Sequence, residues 1–179
     1  KLKLHSVEIN NRAGILELIK KVQPDQVFHL AQYGCNPGED DQANIQNVMI
    51  AGTAAIFDAC IEVPAVKSVV NVGSFLEYGE KTSVIKENML LQPSNSYGCA
   101  KAWATHYGQQ LARNKNAPIT TLRPTFVFGP WQLKSRFIPA VTLSCLSGEP
   151  VQISNPKTVR DFIFVDDVVR AFILAADSP

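Results

Sequence analysis

Residues 66–79, VKSVVNVGSFLEYG, open with a valine-rich run that stops abruptly at Gly73. A short, β-branched apolar run closed by a turn residue predicts a buried strand over 66–72. Two other runs are of the same kind, 26–31 (QVFHLA) and 119–123 (ITTLR). The segments between them have helical spacing. Over 12–23, Ile15, Leu16, Leu18, Ile19 and Val22 fall on one stripe, and Pro24-Asp25 ends the helix. A long helix is expected over 39–62, with Ile45, Val48, Ala51, Ala55 and Cys60 facing inward. Another is expected over 94–114, capped by Ser94 or Asn95. Strands alternating with helices predict a parallel sheet built from βαβ units.

The pattern continues outward from this core. Residues 1–7 read as the tail of a strand and its loop. After the loop containing Pro124, Gly129 and Pro130, a helix is expected over 136–147 and a short strand near 151–153. Residues 159–165 (VRDFIFV) read as a strand, followed by a helix to 176 capped by Asp166 or Asp167.

The 179 residues suit one domain with the start of a second. A hydrophobic fraction of 46% is enough for a real core. Seventeen basic residues against sixteen acidic ones, with no Lys/Arg run, argue against nucleic acid or an anionic membrane as partner. No apolar run is long enough to cross a bilayer, and no signal-peptide pattern opens the sequence. Cys35, Cys60, Cys99 and Cys145 are far apart and lack metal-ligand spacing. They read as reduced thiols of a cytoplasmic protein. His5, His29 and His106 are isolated, so no metal site is expected.

In open parallel α/β sheets, ligands bind beyond the carboxyl ends of the strands. The loops after 26–31, 66–72 and 119–123 lie there. Tyr97 and Lys101, four residues apart on a helix, share one face. A phenol ordinarily ionises at about pH 10, so it is a poor base at neutrality. Bringing it near neutrality requires roughly 4 kcal/mol of differential interaction, which a neighbouring ammonium can help supply. Alone, the pair is better read as an ordinary exposed tyrosine and lysine, because the spacing is short and common. Ser74 falls just past strand 66–72, where a hydroxyl can bond a reacting oxygen while Tyr97 exchanges its proton. It also fits a simple turn serine. It lacks the Gly-x-Ser-x-Gly setting of a hydrolase.

Taken together, these segments resemble the extended short-chain dehydrogenase/reductase family, also called the NAD-dependent epimerase/dehydratase family. The likeness runs from Pro24 through Ala31, the Ser74 loop, the Tyr97/Lys101 pair, and Leu122-Arg123-Pro124 with Gly129-Pro130. It ends at Arg160-Asp161-Phe162-Ile163-Phe164-Val165-Asp166-Asp167-Val168. The resemblance implies an α/β fold with a Rossmann-like, doubly wound parallel sheet, N-terminally incomplete, and part of a smaller C-terminal substrate-binding region. Residues 1–130 would be the NAD(P)-binding catalytic core, 131–160 a substrate-binding segment, and 161–179 a return to the core.

The resemblance also implies roles. Ser74 would position the sugar oxygen, Tyr97 would be the acid/base, and Lys101 would hold the nicotinamide ribose. His29, Leu30, Ala31, Val72 and Gly73 would border NAD or NADP, with Arg123 and Pro124 opening the next cofactor-side loop. Phe75 and Phe126 would stand at the substrate. Arg160 would bind its diphosphate, as a bidentate guanidinium suits. A salt bridge to Asp161 or Asp166 is the alternative for Arg160. A homodimer through helices 39–62 and 94–114 is implied as well. Trp103, Tyr107 and Leu111 form an aromatic-apolar stripe on the second of these helices, equally suited to core packing.

The sequence departs from the family in several places. The glycine-rich turn expected at the first strand has no counterpart, and Gly34 and Gly38 have the wrong spacing for it. The sequence is therefore expected to be a fragment of a longer protein, without the helix N-terminus that cradles a pyrophosphate. Phe75 and Leu76 stand where dehydratases carry an Asp-Glu pair, which disfavours elimination of water. Phe126 and Met49 replace common asparagines. The expected activity is that of a nucleotide-sugar epimerase or 4-ketoreductase, and the loops YGCNPG and GSFLEYG lean towards the ketoreductases. The alternative is a non-catalytic module that binds a dinucleotide or a sugar nucleotide.

Overall fold

A computed structural model describes residues 2–36, 38–81, 83–153 and 155–178. The chain forms two compact units, Lys1–Arg123 with Phe172–Pro179, and Pro124–Ala171.

The first unit holds a parallel sheet of three strands, β1 (Gln26–His29), β2 (Ser68–Val72) and β3 (Ile119–Leu122), in that spatial order. The register sets Phe28 opposite Val70 and Val70 opposite Thr120. Ser68 through Asn71 of the central strand are all buried, as a parallel strand flanked on both edges requires. The strands expected over 26–31, 66–72 and 119–123 are all present. β1 is shorter than expected, and Leu30 and Ala31 emerge exposed beyond it.

Helix α1 (Arg12–Val22) is capped by Asn11, whose side chain accepts from the Gly14 N–H at 3.0 Å. It closes on Gln23 in the left-handed region, φ 51°. Ile15, Leu16 and Ile19 face the core as expected. Val22 does not; it lies in the last turn and is 48% exposed.

The long helix after β1 starts at Gln42 rather than residue 39. It runs as α2 (Gln42–Asn44), a π-helical stretch Ile45–Ala51, and α3 (Gly52–Glu62). The π segment corrects one inward position. Its wider turn inserts an extra residue and rotates the next turns of the helix relative to a pure 3.6 period. Ala51 is therefore exposed, while Met49, Gly52 and Thr53 are buried.

Helix α4 (Ser96–Lys115) is capped by Asn95, not Ser94, through a 2.8 Å bond from the Gly98 N–H. Phe57, Cys60, Val63, Val66, Val69, Leu111 and Ala117 form the main core, with Tyr107 packed against it. Tyr107 stacks between Trp103 and Phe57, so that stripe of α4 serves core packing. The end of α6 (Val165–Asp177) completes this unit by burying Phe172 and Ala176.

The second unit contains strands β4 (Phe126–Phe128) and β5 (Phe162–Phe164), paired in parallel, and helix α5 (Phe137–Ser147). Four sequence expectations need correction. Residues 126–128 form a strand where a loop is expected, because a partner 36 residues away pairs each Phe-Val-Phe position. Residues 151–153 form no strand, and neither do 2–7. Asp166 and Asp167 lie inside the first turn of α6 rather than ahead of it, where their charges still favour the positive helix end. Among the described residues, no helix is long and apolar enough to cross a membrane.

Candidate active site

The site is built at the carboxyl end of β2. The ladder continues one step, from the Gly73 N–H to the Leu122 carbonyl at 2.7 Å, and the chain then turns. Gly73 is required here: a Cβ would lie 2.5 Å from Glu77 Oε1 and 2.7 Å from Arg123 Cγ. Ser74 opens a short 3-10 turn, Phe75–Tyr78, and is itself buried. Its Oγ accepts the Leu76 N–H at 3.2 Å. That bond uses an acceptor lone pair and leaves the hydroxyl proton for another oxygen.

Helix α4 meets this turn closely. A Cβ on Gly98 would come within 2.7 Å of the Leu76 carbonyl oxygen, so glycine lets the helix N-terminus approach the Ser74 loop. Tyr97 and Lys101 project from the adjacent turn. The Tyr97 ring packs against Ile45, Met49 and Ala100. Its hydroxyl donates to Gln32 Oε1 at 2.9 Å.

Lys101 is only 3% exposed, and its Nζ lies 5.7 Å from the centre of the Tyr97 ring. It donates to the Val72 carbonyl at 2.7 Å. Burial pushes its ammonium down to about 8, against the opposing pull of Glu77 and Cys35. An ammonium carries three donors, and this is its one hydrogen bond among the described residues. Two buried donors beside a tyrosine fit the hydroxyls of a dinucleotide ribose, so this part of the site suits the cofactor.

His29 ends β1 and is buried, edge-on to Phe57 at 6.0 Å. Thr53 Oγ1 donates to the Met49 carbonyl at 2.7 Å, so it accepts from His29 Nε2 at 2.9 Å. This leaves Nδ1 as a buried acceptor with no hydrogen-bond partner among the described residues. Burial, and then the Lys101 charge, push the imidazole down to about 4. His29 is therefore neutral at physiological pH.

The structure thus gathers Val72, Gly73, Ser74, Tyr97, Lys101 and His29 within the first unit. Phe75 is half-buried in the Ser74 turn. The Arg123 guanidinium is already engaged, lying 4.7 Å over the Tyr78 ring and donating to the Glu87 carbonyl at 3.1 Å. Pro124 opens the second unit. In that unit Arg160 lies 4.7 Å over the Phe126 ring. Among the described residues it makes no ion pair with Asp161 or Asp166.

Two residues of the site are absent from the sequence reading. Gln32 gives no local signal, since its contact spans 65 positions. Glu77 does give one: Ser74-Phe75-Leu76-Glu77 has capping-box spacing. A separate cleft of about 480 Å³ opens beside Ile45, Gln46, Ile50, Asn95 and Cys99, and Ser74, Tyr97 and Lys101 do not line it.

A parallel α/β sheet with a serine, a tyrosine and a buried lysine at its carboxyl edge defines a Rossmann-like protein of the dehydrogenase/reductase class. The chain belongs to the NAD dependent epimerase/dehydratase family, whose model matches residues 1–179. It is 28% identical over 182 residues to UDP-glucuronate 4-epimerase 4 of Arabidopsis thaliana, covering 96% of this chain and 41% of that protein. Among solved structures, it resembles the UDP-N-acetylglucosamine 4-epimerase of Methanobrevibacter ruminantium M1 in complex with UDP-N-acetylmuramic acid. The TM-score is 0.88 at 28% identity, covering 98% of this chain and 58% of that one. It also resembles the UDP-glucuronic acid 4-epimerase of Bacillus cereus in complex with UDP-glucuronic acid and NAD. There the TM-score is 0.76 at 25% identity, with coverage of 94% and 54%. The chain therefore spans about half the length of the relatives it matches.

Proposed function

We propose that the complete protein carries out NAD(P)-dependent chemistry on a nucleotide-activated sugar, as a 4-epimerase or a 4-ketoreductase. The observation that carries this reading is the buried Lys101 ammonium, held by the Val72 carbonyl beside the Tyr97 ring, with two donors unmatched among the described residues. Bound cofactor would supply the site of hydride exchange. Tyr97 takes a proton from the sugar hydroxyl during oxidation, or returns one during reduction. Ser74 donates its hydroxyl proton to the same oxygen, steadying charge that develops there. Lys101 holds the ribose hydroxyls and biases Tyr97 electrostatically.

His29, Leu30, Ala31, Val72, Gly73, Arg123 and Pro124 are assigned to the border of the cofactor. Phe75 and Phe126 are assigned to the substrate, within a reading of 131–160 as a substrate-binding segment. Arg160 is assigned to the diphosphate, its guanidinium plane stacked over Phe126 with no carboxylate among the described residues competing for it. The sugar-nucleotide and NAD complexes of the relatives support both ligand classes. Phe75 and Leu76 carry no titratable group, which favours epimerisation or reduction over dehydration.

The active form is proposed as a homodimer through the helices of 39–62 and 94–114. The cytoplasm is its proposed setting, supported by Cys60, Cys99 and Cys145, none of which forms a disulfide.

The experiment is a screen of the complete protein against UDP-, GDP-, CDP- and dTDP-sugars, and their 4-keto derivatives, with NAD and NADP in both redox states. Turnover of one nucleotide sugar is expected. A folded protein that binds cofactor yet turns over none of them would sink the reading.

A further inference from the structure

Glu77 is fully buried, and both of its carboxylate oxygens are used. Oε1 accepts the Ser74 N–H at 2.7 Å, and Oε2 accepts the Thr105 hydroxyl at 2.7 Å. Thr105 is itself buried on α4 and comes after Tyr97 and Lys101 at steps of four residues, on the same side of the helix. One carboxylate therefore joins the loop that presents Ser74 to the helix that presents Tyr97 and Lys101. Burial pushes the Glu77 carboxyl up, while its two hydrogen bonds and the Arg123 and Lys101 charges oppose this.

Capping alone does not account for this placement. A capping carboxylate needs only the backbone N–H, and it ordinarily keeps its remaining lone pairs in water. Here the carboxylate is desolvated, which is costly without compensating bonds. Gly73 leaves room for it, since a Cβ there would lie 2.5 Å from Oε1. The second oxygen reaches across to another element.

We infer that Glu77 is a positioning residue that fixes Ser74 relative to Tyr97, acting through its bridge from the Ser74 backbone to Thr105. This rests on the proposed roles of Ser74, Tyr97 and Lys101 in catalysis. When the bridge is cut, the Ser74 hydroxyl loses its register with the tyrosine. Nucleotide and cofactor binding remain.

The test is steady-state kinetics of the complete protein carrying Glu77→Ala, Glu77→Gln and Thr105→Val, each alone and with Ser74→Ala. Thermal melting and cofactor titration show which variants fold. Glu77→Ala should lower kcat by about 30-fold or more while KM changes less than about threefold. Thr105→Val, which cuts one arm only, should lower kcat by a smaller factor. Glu77→Gln keeps an acceptor for the Ser74 N–H and should recover at least about tenfold of the loss. In the Ser74→Ala background, Glu77→Ala should cost less than about threefold more, because there is no hydroxyl left to place.

An equal kcat loss with and without Ser74 would overturn the inference, as would full activity in folded Glu77→Ala. If Glu77→Ala does not fold, the same comparison is made with Thr105→Val. Undiminished activity of Ser74→Ala and Tyr97→Phe would instead overturn the underlying assignment of the site.

Discussion

The Tyr97 hydroxyl donates a 2.9 Å hydrogen bond to Gln32 Oε1, so the proposed acid/base is already engaged by a side chain from the loop after β1. Tyr97 can pass that proton to a sugar oxygen only when its bond to the amide is broken. A net hydrogen bond of this kind is worth about 1 kcal/mol. Gln32→Ala should therefore lower KM for the nucleotide sugar by roughly fivefold, with a smaller change in kcat. A raised KM would assign Gln32 to substrate binding instead.

Lys101 carries its own pH signature. Its ammonium is held down to about 8, so it loses its charge as pH rises through that value. The kcat/KM profile should fall on its alkaline side near there. Lys101→Met should lower kcat by about 10²-fold or more, in the range usual for loss of a group serving acid-base catalysis. An alkaline limb that stayed in place in a residually active Lys101→Met enzyme would belong to another group.

His29 links pH to stability. Its folded value of about 4 lies below the ordinary 6.5, so the unfolded chain binds its proton first as pH falls. The stabilisation is fully present above about 6.5 and is lost progressively down to about 4. The loss amounts to about 3 kcal/mol. Denaturant titrations of the wild type and of His29→Gln at pH 8 and pH 5 should show the larger fall in the wild type. Parallel falls would remove His29 as the cause.

Gly73→Ala tests the tightness of the turn. Its Cβ would fall 2.5 Å from Glu77 Oε1, 2.7 Å from Arg123 Cγ and 2.8 Å from Thr121 Cγ2, so these side chains would have to shift. Overpacking of this kind costs about 1–3 kcal/mol. The urea midpoint should drop with an unchanged slope.

The α/β class and the three strands of the first sheet were legible in the sequence because each strand lies in a short run set between segments of helical spacing. Tyr97 and Lys101 were legible because a four-residue step on a helix fixes a shared face locally. The position of Ala51 was not, since a π-helical stretch shifts the register without changing composition. Nor was the strand at Phe126–Phe128, whose pairing with Phe162–Phe164 is decided far away in the chain. Gln32 was hidden for the same reason: its partner is brought near by the fold alone. Glu77 left a trace in its spacing from Ser74, but the bond to Thr105 that gives the residue its proposed meaning belongs to tertiary structure.

The most direct test of the proposed chemistry is the turnover of Tyr97→Phe in the complete protein, measured with its nucleotide sugar and cofactor alongside the binding of each. An acid/base role for Tyr97 predicts a loss of kcat of about 10³-fold or more with both affinities within a few-fold of wild type. Wild-type turnover by Tyr97→Phe would contradict it.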